Sequence, residues 1–152
     1  MSRYQPILDV LINSKNYNRV YYHHNEEGLP NPYRDICYKR RIALQEQCGK
    51  GQKKQKKWAD MCGIKNDKVK IIIEEELKPT EKKVENDIEK ISKCKSLWID
   101  KDYSFDPDCV LFVLLNNNIK DVPEQVIENK GSLKRIVVCG TELFQDNYTP
   151  CG

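Results

Sequence analysis

The stretch Lys56–Pro79, KKWADMCGIKNDKVKIIIEEELKP, decides how the chain is read. Trp58–Ile64 and Val69–Leu77 are short apolar-rich runs separated by the turn-forming KND (65–67), a pattern that predicts an antiparallel hairpin. Pro79 ends the second strand, and Thr80 offers an N-cap to a helix whose Val84, Ile88 and Ile91 mark one face up to about Lys95. Further along, CVLFVLL (109–115) and RIVVCG (135–140) read as buried strands, and VPEQVIENKG (122–131) between them as a short helix with Pro123 in its first turn and Gly131 past its end. Working back toward the start, Tyr33–Gln47 is expected to form a helix capped near Gly49. RVYYHH (19–24) is expected to be extended, and Tyr4, Ile7, Leu8, Leu11 and Ile12 form an amphipathic start. Apolar runs alternating with helices imply an α/β fold: a mixed central sheet with parallel members and helices on both faces.

The chain has 152 residues, room for one domain able to bury about two-thirds of its unfolded surface. We therefore expect a single domain over 1–152, with an N-terminal helical and extended portion (1–32), a core (33–115) and a C-terminal helix and strand (116–152). No apolar run approaches the length of a membrane span, and MSRYQPILDVLINSKN (1–16) has the shape of neither a signal peptide nor an anchor, so the expected setting is intracellular, without a membrane partner. The seven cysteines include no CxxC pair and several lie beside apolar runs, which points to reduced, buried thiols.

Charge is unevenly spread. Between Lys39 and Lys57 there are eight basic residues against Glu46 alone, a local +7, whereas the rest of the chain carries −4. Such a segment suits a polyanion, because clustered Lys and Arg release its counterions, and it equally suits a solvated loop. There is no Walker loop and no GxGxxG fingerprint, and His23 and His24, the two histidines, sit in no nucleophile motif.

On the strand VKIIIEEEL (69–77), alternation places Ile72, Glu74 and Glu76 on one face and Ile71, Ile73 and Glu75 on the other. If the hairpin turns about Asn66, Asp60 comes opposite residue 72 and diagonal to Glu74. Acids converging in this way repel one another unless a divalent cation or protons lie between them.

In these residues the chain resembles the PD-(D/E)xK nucleases, the restriction-endonuclease-like superfamily. Ala59-Asp60 stands for the PD dipeptide, fourteen positions before Glu74, and Glu74-Glu75-Glu76 stands for the tripeptide at the end of an apolar strand. KKVENDIEKI (82–91) and CVLFVLL match the helix and buried strand that follow. The likeness covers roughly residues 33–115. The family carries a further strand between its first helix and its Asp-bearing strand, whereas CGKGQKKQKK (48–57) reads as a loop, and Glu76 stands where the tripeptide lysine is usual. The register Glu76-Leu77-Lys78, with Asp60 or Asp67, is a second alignment.

The resemblance implies a restriction-endonuclease-like core and metal-dependent hydrolysis of DNA. Asp60, Glu74 and Glu76 would be catalytic, and Asp60 and Glu74, with Glu46 from the preceding helix, would hold Mg²⁺ or Mn²⁺. Lys50, Lys53, Lys54, Lys56 and Lys57, with Lys82 and Lys83, would clamp the backbone. DNA is the expected partner, with RNA as an alternative and a homodimer left open. Two rival expectations stand beside this one: a non-catalytic nucleic-acid-binding module, and a protein-interaction domain using Lys39–Lys57.

Overall fold

In the computed structural model, residues 3–23, 28–45, 57–116 and 124–147 are described. Their elements in chain order are α1 (Gln5–Asn13), β1 (Arg19–Tyr22), β2 (Cys37–Lys39), β3 (Ala43–Gln45), β4 (Met61–Lys65), β5 (Lys68–Glu76), α2 (Glu81–Ser92), β6 (Ser96–Trp98), β7 (Asp102–Leu115), β8 (Gln125–Lys130), β9 (Leu133–Gly140) and α3 (Thr141–Asn147). They build an α/β fold, a large mixed sheet flanked by helices. Among the described residues no helix is long and apolar enough to cross a membrane.

The β4–β5 hairpin forms where the sequence predicts it. Asn66 and Asp67 take φ of 52° and 61°. Those values belong to the tight hairpin turn that Asn and Asp tolerate because their short polar side chains ease the left-handed conformation. From this hairpin the sheet grows both ways in the order β2-β1-β4-β5-β7-β6-β3, with β9 also on β7 and β8 outside it. β5, β7 and β9 run parallel, while β4 is antiparallel to both β1 and β5. β7 changes partner along its length: Asp102–Ser104 pairs with β6, and Val110–Leu115 pairs with β9. At the far edge β3 reaches round to Trp58 through an Ala43–Trp58 bridge, so the sheet curls back toward the start of its own hairpin.

Helices cover both faces. α2 is capped by Thr80, whose side chain accepts from the Lys83 N–H, and it lays Ile88 and Ile91 on Ile72, Leu111 and Val113. α1 buries Ile7, Leu8 and Leu11 on the opposite face against Ile71, Ile73 and Leu114, with Phe144 of α3 in the same cluster. Each fully buried aliphatic side chain contributes about 1.5–3 kcal/mol. Cys37, Cys62, Cys94, Cys109 and Cys139 are free thiols within these layers.

Two expected helices are strands. Tyr33–Gln47 gives β2 and β3 instead of one helix, because the loose alternation around Ile36–Lys39 and Ile42–Leu44 is satisfied at period two once distant partners supply the ladder. Val20 pairs with Cys37, and Leu44 with Leu97. VPEQVIENKG gives the edge strand β8 in a hairpin with β9, so Gly131 is a turn residue and not a helix cap. Its φ is +57°, and an added Cβ would meet the Ser92 carbonyl oxygen at 2.1 Å, which leaves glycine as the residue that fits there. β1, expected in an N-terminal portion outside the core, lies inside the sheet between β2 and β4.

Candidate acidic site

Strand alternation in β5 separates the three glutamates. Ile72 belongs to the core layer under α2, and Ile71 and Ile73 to the layer under α1. Glu74 and Glu76 therefore face α2, and Glu75 faces the start of α1. There the Arg3 guanidinium pairs with Glu75 Oε1. The Tyr4 hydroxyl is pushed far up by burial and then by the Asp60 carboxylate.

Asp60 immediately precedes β4. Met61 pairs with Ile73, and Cys62 with Ile72, which puts Asp60 across from Glu74 and not opposite residue 72 as the sequence suggests. The two-residue turn and a register shift between Gly63 and Ile64 account for the difference. The outcome for the chemistry is favourable, since Asp60 and Glu74 now share a face at directly opposed positions. Asp60 Oδ2 accepts from the Glu75 N–H at 2.8 Å and its carbonyl accepts from the His23 N–H at 2.9 Å, so both its ends are fixed to the sheet.

α2 completes the cluster with Asp87 and Lys90, neither of which sequence reasoning singled out. Lys90 Nζ lies 2.9 Å from Glu74 Oε1 and 3.6 Å from Asp87 Oδ1, and donates to the Trp58 carbonyl at 3.2 Å. The legible signal is that Asp87 falls within the stripe Val84, Ile88, Ile91, where a solvated carboxylate has no place.

Charge in this cluster is held at a cost. Glu74 is 3% exposed and Asp87 7%. Burial, then the Asp60 carboxylate, raise the Glu74 pKa well above the usual range despite the attraction of Lys90. For Asp87, burial and the facing Glu76 carboxyl push the value up to about 8. Burial also works against the Lys90 ammonium, but Glu74 and Asp87 outweigh it and its pKa is raised. At neutral pH Asp87 thus carries a proton, and Lys90 keeps its own. Asp87 Oδ2 is buried and meets no hydrogen-bond donor among the described residues.

A raised carboxyl pKa destabilises the fold as pH climbs, because the unfolded chain releases that proton first. For Asp87 the loss runs from its ordinary 3.8 up to about 8. Asp87→Asn, which has no proton to lose, is expected to melt at the wild-type temperature near pH 4 and several degrees higher at pH 8. Thermal melts at the two pH values check this; an equal shift at both would assign the effect to packing.

The remaining expected residues are dispersed. Glu46, Lys50, Lys53, Lys54 and Lys56 lie outside the described residues. Lys57 is half-buried, its carbonyl accepting from the Leu44 N–H at 2.9 Å. Lys82 and Lys83 are exposed in the first turn of α2. Lys83 Nζ donates to the Lys78 carbonyl at 3.1 Å, and Lys83 stands four and seven residues before Asp87 and Lys90, on their side of the helix, whereas Lys82 does not. His23 Nδ1 accepts from the Ile42 N–H at 3.3 Å, a structural task.

Among the described residues no three His, Cys, Asp or Glu side chains are grouped so as to hold an ion by themselves. Mg²⁺ does not need that: it prefers hard oxygens and is commonly held by one or two carboxylates plus substrate phosphate. Asp60 and Glu74, opposed on one face, fit that requirement. No family model, curated protein or solved structure matches the chain.

Proposed function

We propose that the protein is a metal-dependent nuclease that hydrolyses DNA phosphodiester bonds. The observation that carries the reading is the convergence of Asp60, Glu74 and Lys90 at the C-terminal end of β5, on one face. The order of elements supports it. α1, β1, β4, the acid-bearing β5, α2 and β7 follow one another as helix, three antiparallel neighbours, helix and a strand parallel to the third, interrupted by the three-residue strands β2, β3 and β6. In that order β1 supplies the strand between first helix and Asp-bearing strand that the resemblance calls for. A restriction-endonuclease-like core is accordingly the finer fold we infer.

Asp60 and Glu74 would hold Mg²⁺ or Mn²⁺, which supplies a nucleophile by lowering the pKa of water and stabilises charge building on phosphorus. The chain's own groups do the rest. Lys90, brought from α2, places a protonated ammonium among the acids where the tripeptide offers Glu76 instead of lysine, and its positive charge would attract an anionic phosphate oxygen. Asp87 faces the Glu76 carboxyl, and its pKa, raised to about 8, suits proton uptake and release near neutrality. Lys83, one helical turn away, stands where a neighbouring phosphate would lie.

The test is incubation of plasmid and single-stranded DNA with Mg²⁺, Mn²⁺ or EDTA. Cleavage that requires the metal and stops with EDTA is expected. DNA binding with no cleavage under any metal would overturn the nuclease reading in favour of a non-catalytic binding module.

A further inference from the structure

A second set of side chains on the same face points to the form of the nucleic acid. Arg19 and Tyr21 stand two apart on β1, so they share a side. Tyr21 pairs with Tyr38 on β2, and Arg40 stands two beyond Tyr38. Tyr21, Cys62 and Ile72 are successive partners across β1, β4 and β5, which makes this the face that carries Glu74. β2 and β1 run parallel to β5, so Arg40 and Arg41, just past the end of β2, come to the end of the sheet where the acids lie.

These arginines are held by aromatic rings. Arg19 and Arg40 place their guanidinium carbons 5.7 and 5.6 Å from the Tyr38 ring centre, and Arg41 lies 5.9 Å from that of Trp58. Four other surface cations are neutralised: Lys101 pairs with Asp67, Lys134 with Asp108, Arg135 with Glu128 and Lys93 with Glu89. None of Arg19, Arg40 and Arg41 has a carboxylate in ion-pair range among the described residues. All three are exposed, and Tyr38 and Trp58 are half-exposed. The track is continuous with the acidic site, because the Trp58 carbonyl accepts from Lys90 Nζ.

We infer that Arg19, Tyr38, Arg40, Arg41 and Trp58 form a binding track for single-stranded DNA leading into the acidic site. Unneutralised guanidinium groups attract phosphates wherever they occur, and a duplex would need no more than that. Rings interleaved with them add stacking surfaces, which serve unpaired bases and are of little use to bases closed within a duplex. The inference rests on the nuclease reading for what the track delivers the strand to, but its binding step stands without it.

The experiment measures anisotropy of a fluorescent 20-nucleotide single strand and of the matching duplex, in EDTA, with the full chain. Arg19→Gln/Arg40→Gln/Arg41→Gln is expected to weaken single-strand binding at least tenfold and to lower the slope of log affinity against log salt by about 2, since single strands give about 0.7 per phosphate neutralised. Tyr38→Leu is expected to weaken single-strand binding about tenfold and duplex binding much less, a stacking loss of about 1.4 kcal/mol. Melting temperatures close to wild type confirm that the variants fold. An unchanged slope in the triple variant, or a wild-type preference for duplex, would overturn the track. Binding that follows these changes in a protein that cleaves nothing would keep the track and remove the nuclease reading, whereas cleavage with unaltered binding would do the reverse.

Discussion

Glu74→Gln and Asp60→Asn are each expected to reduce metal-dependent cleavage by about 10²–10³-fold or more while leaving DNA binding intact. An amide has the shape of the carboxylate but supplies no anionic oxygen to a hard cation, and losing one preorganised electrostatic group at a reacting phosphate costs a factor of that size. Stability should move little or upward for Glu74→Gln, because Glu74 is buried and its charged form is already disfavoured by burial and by Asp60. Asp60→Asn keeps an oxygen for the Glu75 N–H. Single-turnover cleavage with saturating Mg²⁺, alongside anisotropy in EDTA, separates the two effects. A variant that cleaves at the wild-type rate would remove that carboxylate from the metal. One that loses binding and cleavage together would give it a structural role.

Lys90→Met tests the one cation inside the cluster. Met keeps the apolar stem and removes the charge, so Glu74 and Asp87 lose the group 2.9 and 3.6 Å from their oxygens. Stripping one partner from a buried charged set costs about 3–5 kcal/mol, which is about 6–20 °C in melting temperature for a chain of this length. The sign with pH follows from the direction of the shifts. Both carboxyls have raised pKa values, so the native state holds their protons as pH rises while the unfolded chain has released them. Stability therefore falls with pH, and losing Lys90 steepens the fall. The loss is expected in full at pH 8 and to shrink to less than half at pH 5, where the carboxyls are neutral and need no counter-charge. Equal destabilisation at both pH values would mean that Lys90 acts through packing alone.

Much of the central sheet and its α2 layer is legible in the sequence because its signals are local. KND between apolar runs, Thr80 ahead of the Val84–Ile91 stripe, and the unbroken CVLFVLL and RIVVCG each carry their own evidence within a few residues. β2, β3 and β8 do not. They are three to six residues long, lie at sheet edges or near them, and owe their extended form to partners far along the chain, such as Val20 for Cys37 and Trp58 for Ala43. The acidic site divides in the same way. Glu74 facing Glu76's side follows from a period of two, and Asp60's approach follows from the hairpin, to within the register that the two-residue turn and one bulge displace. Asp87 and Lys90 belong to a helix whose charged residues mostly face water, and only the acidic end of β5 beneath them turns this pair inward.

The buried thiols give the molecule a further property. Cys37 and Cys139 have pKa values pushed up to about 12 and about 11 by burial, and Cys62 and Cys109 higher still. Only the thiolate attacks alkylating reagents or disulfides, so in the closed fold these sulfurs are chemically silent near neutral pH. Reaction waits for the chain to open around each one, which makes the alkylation rate at every cysteine a clock for the opening of its own strand. Cys37 keeps time for the sheet edge, and Cys109 for the strand on which both halves of the sheet depend.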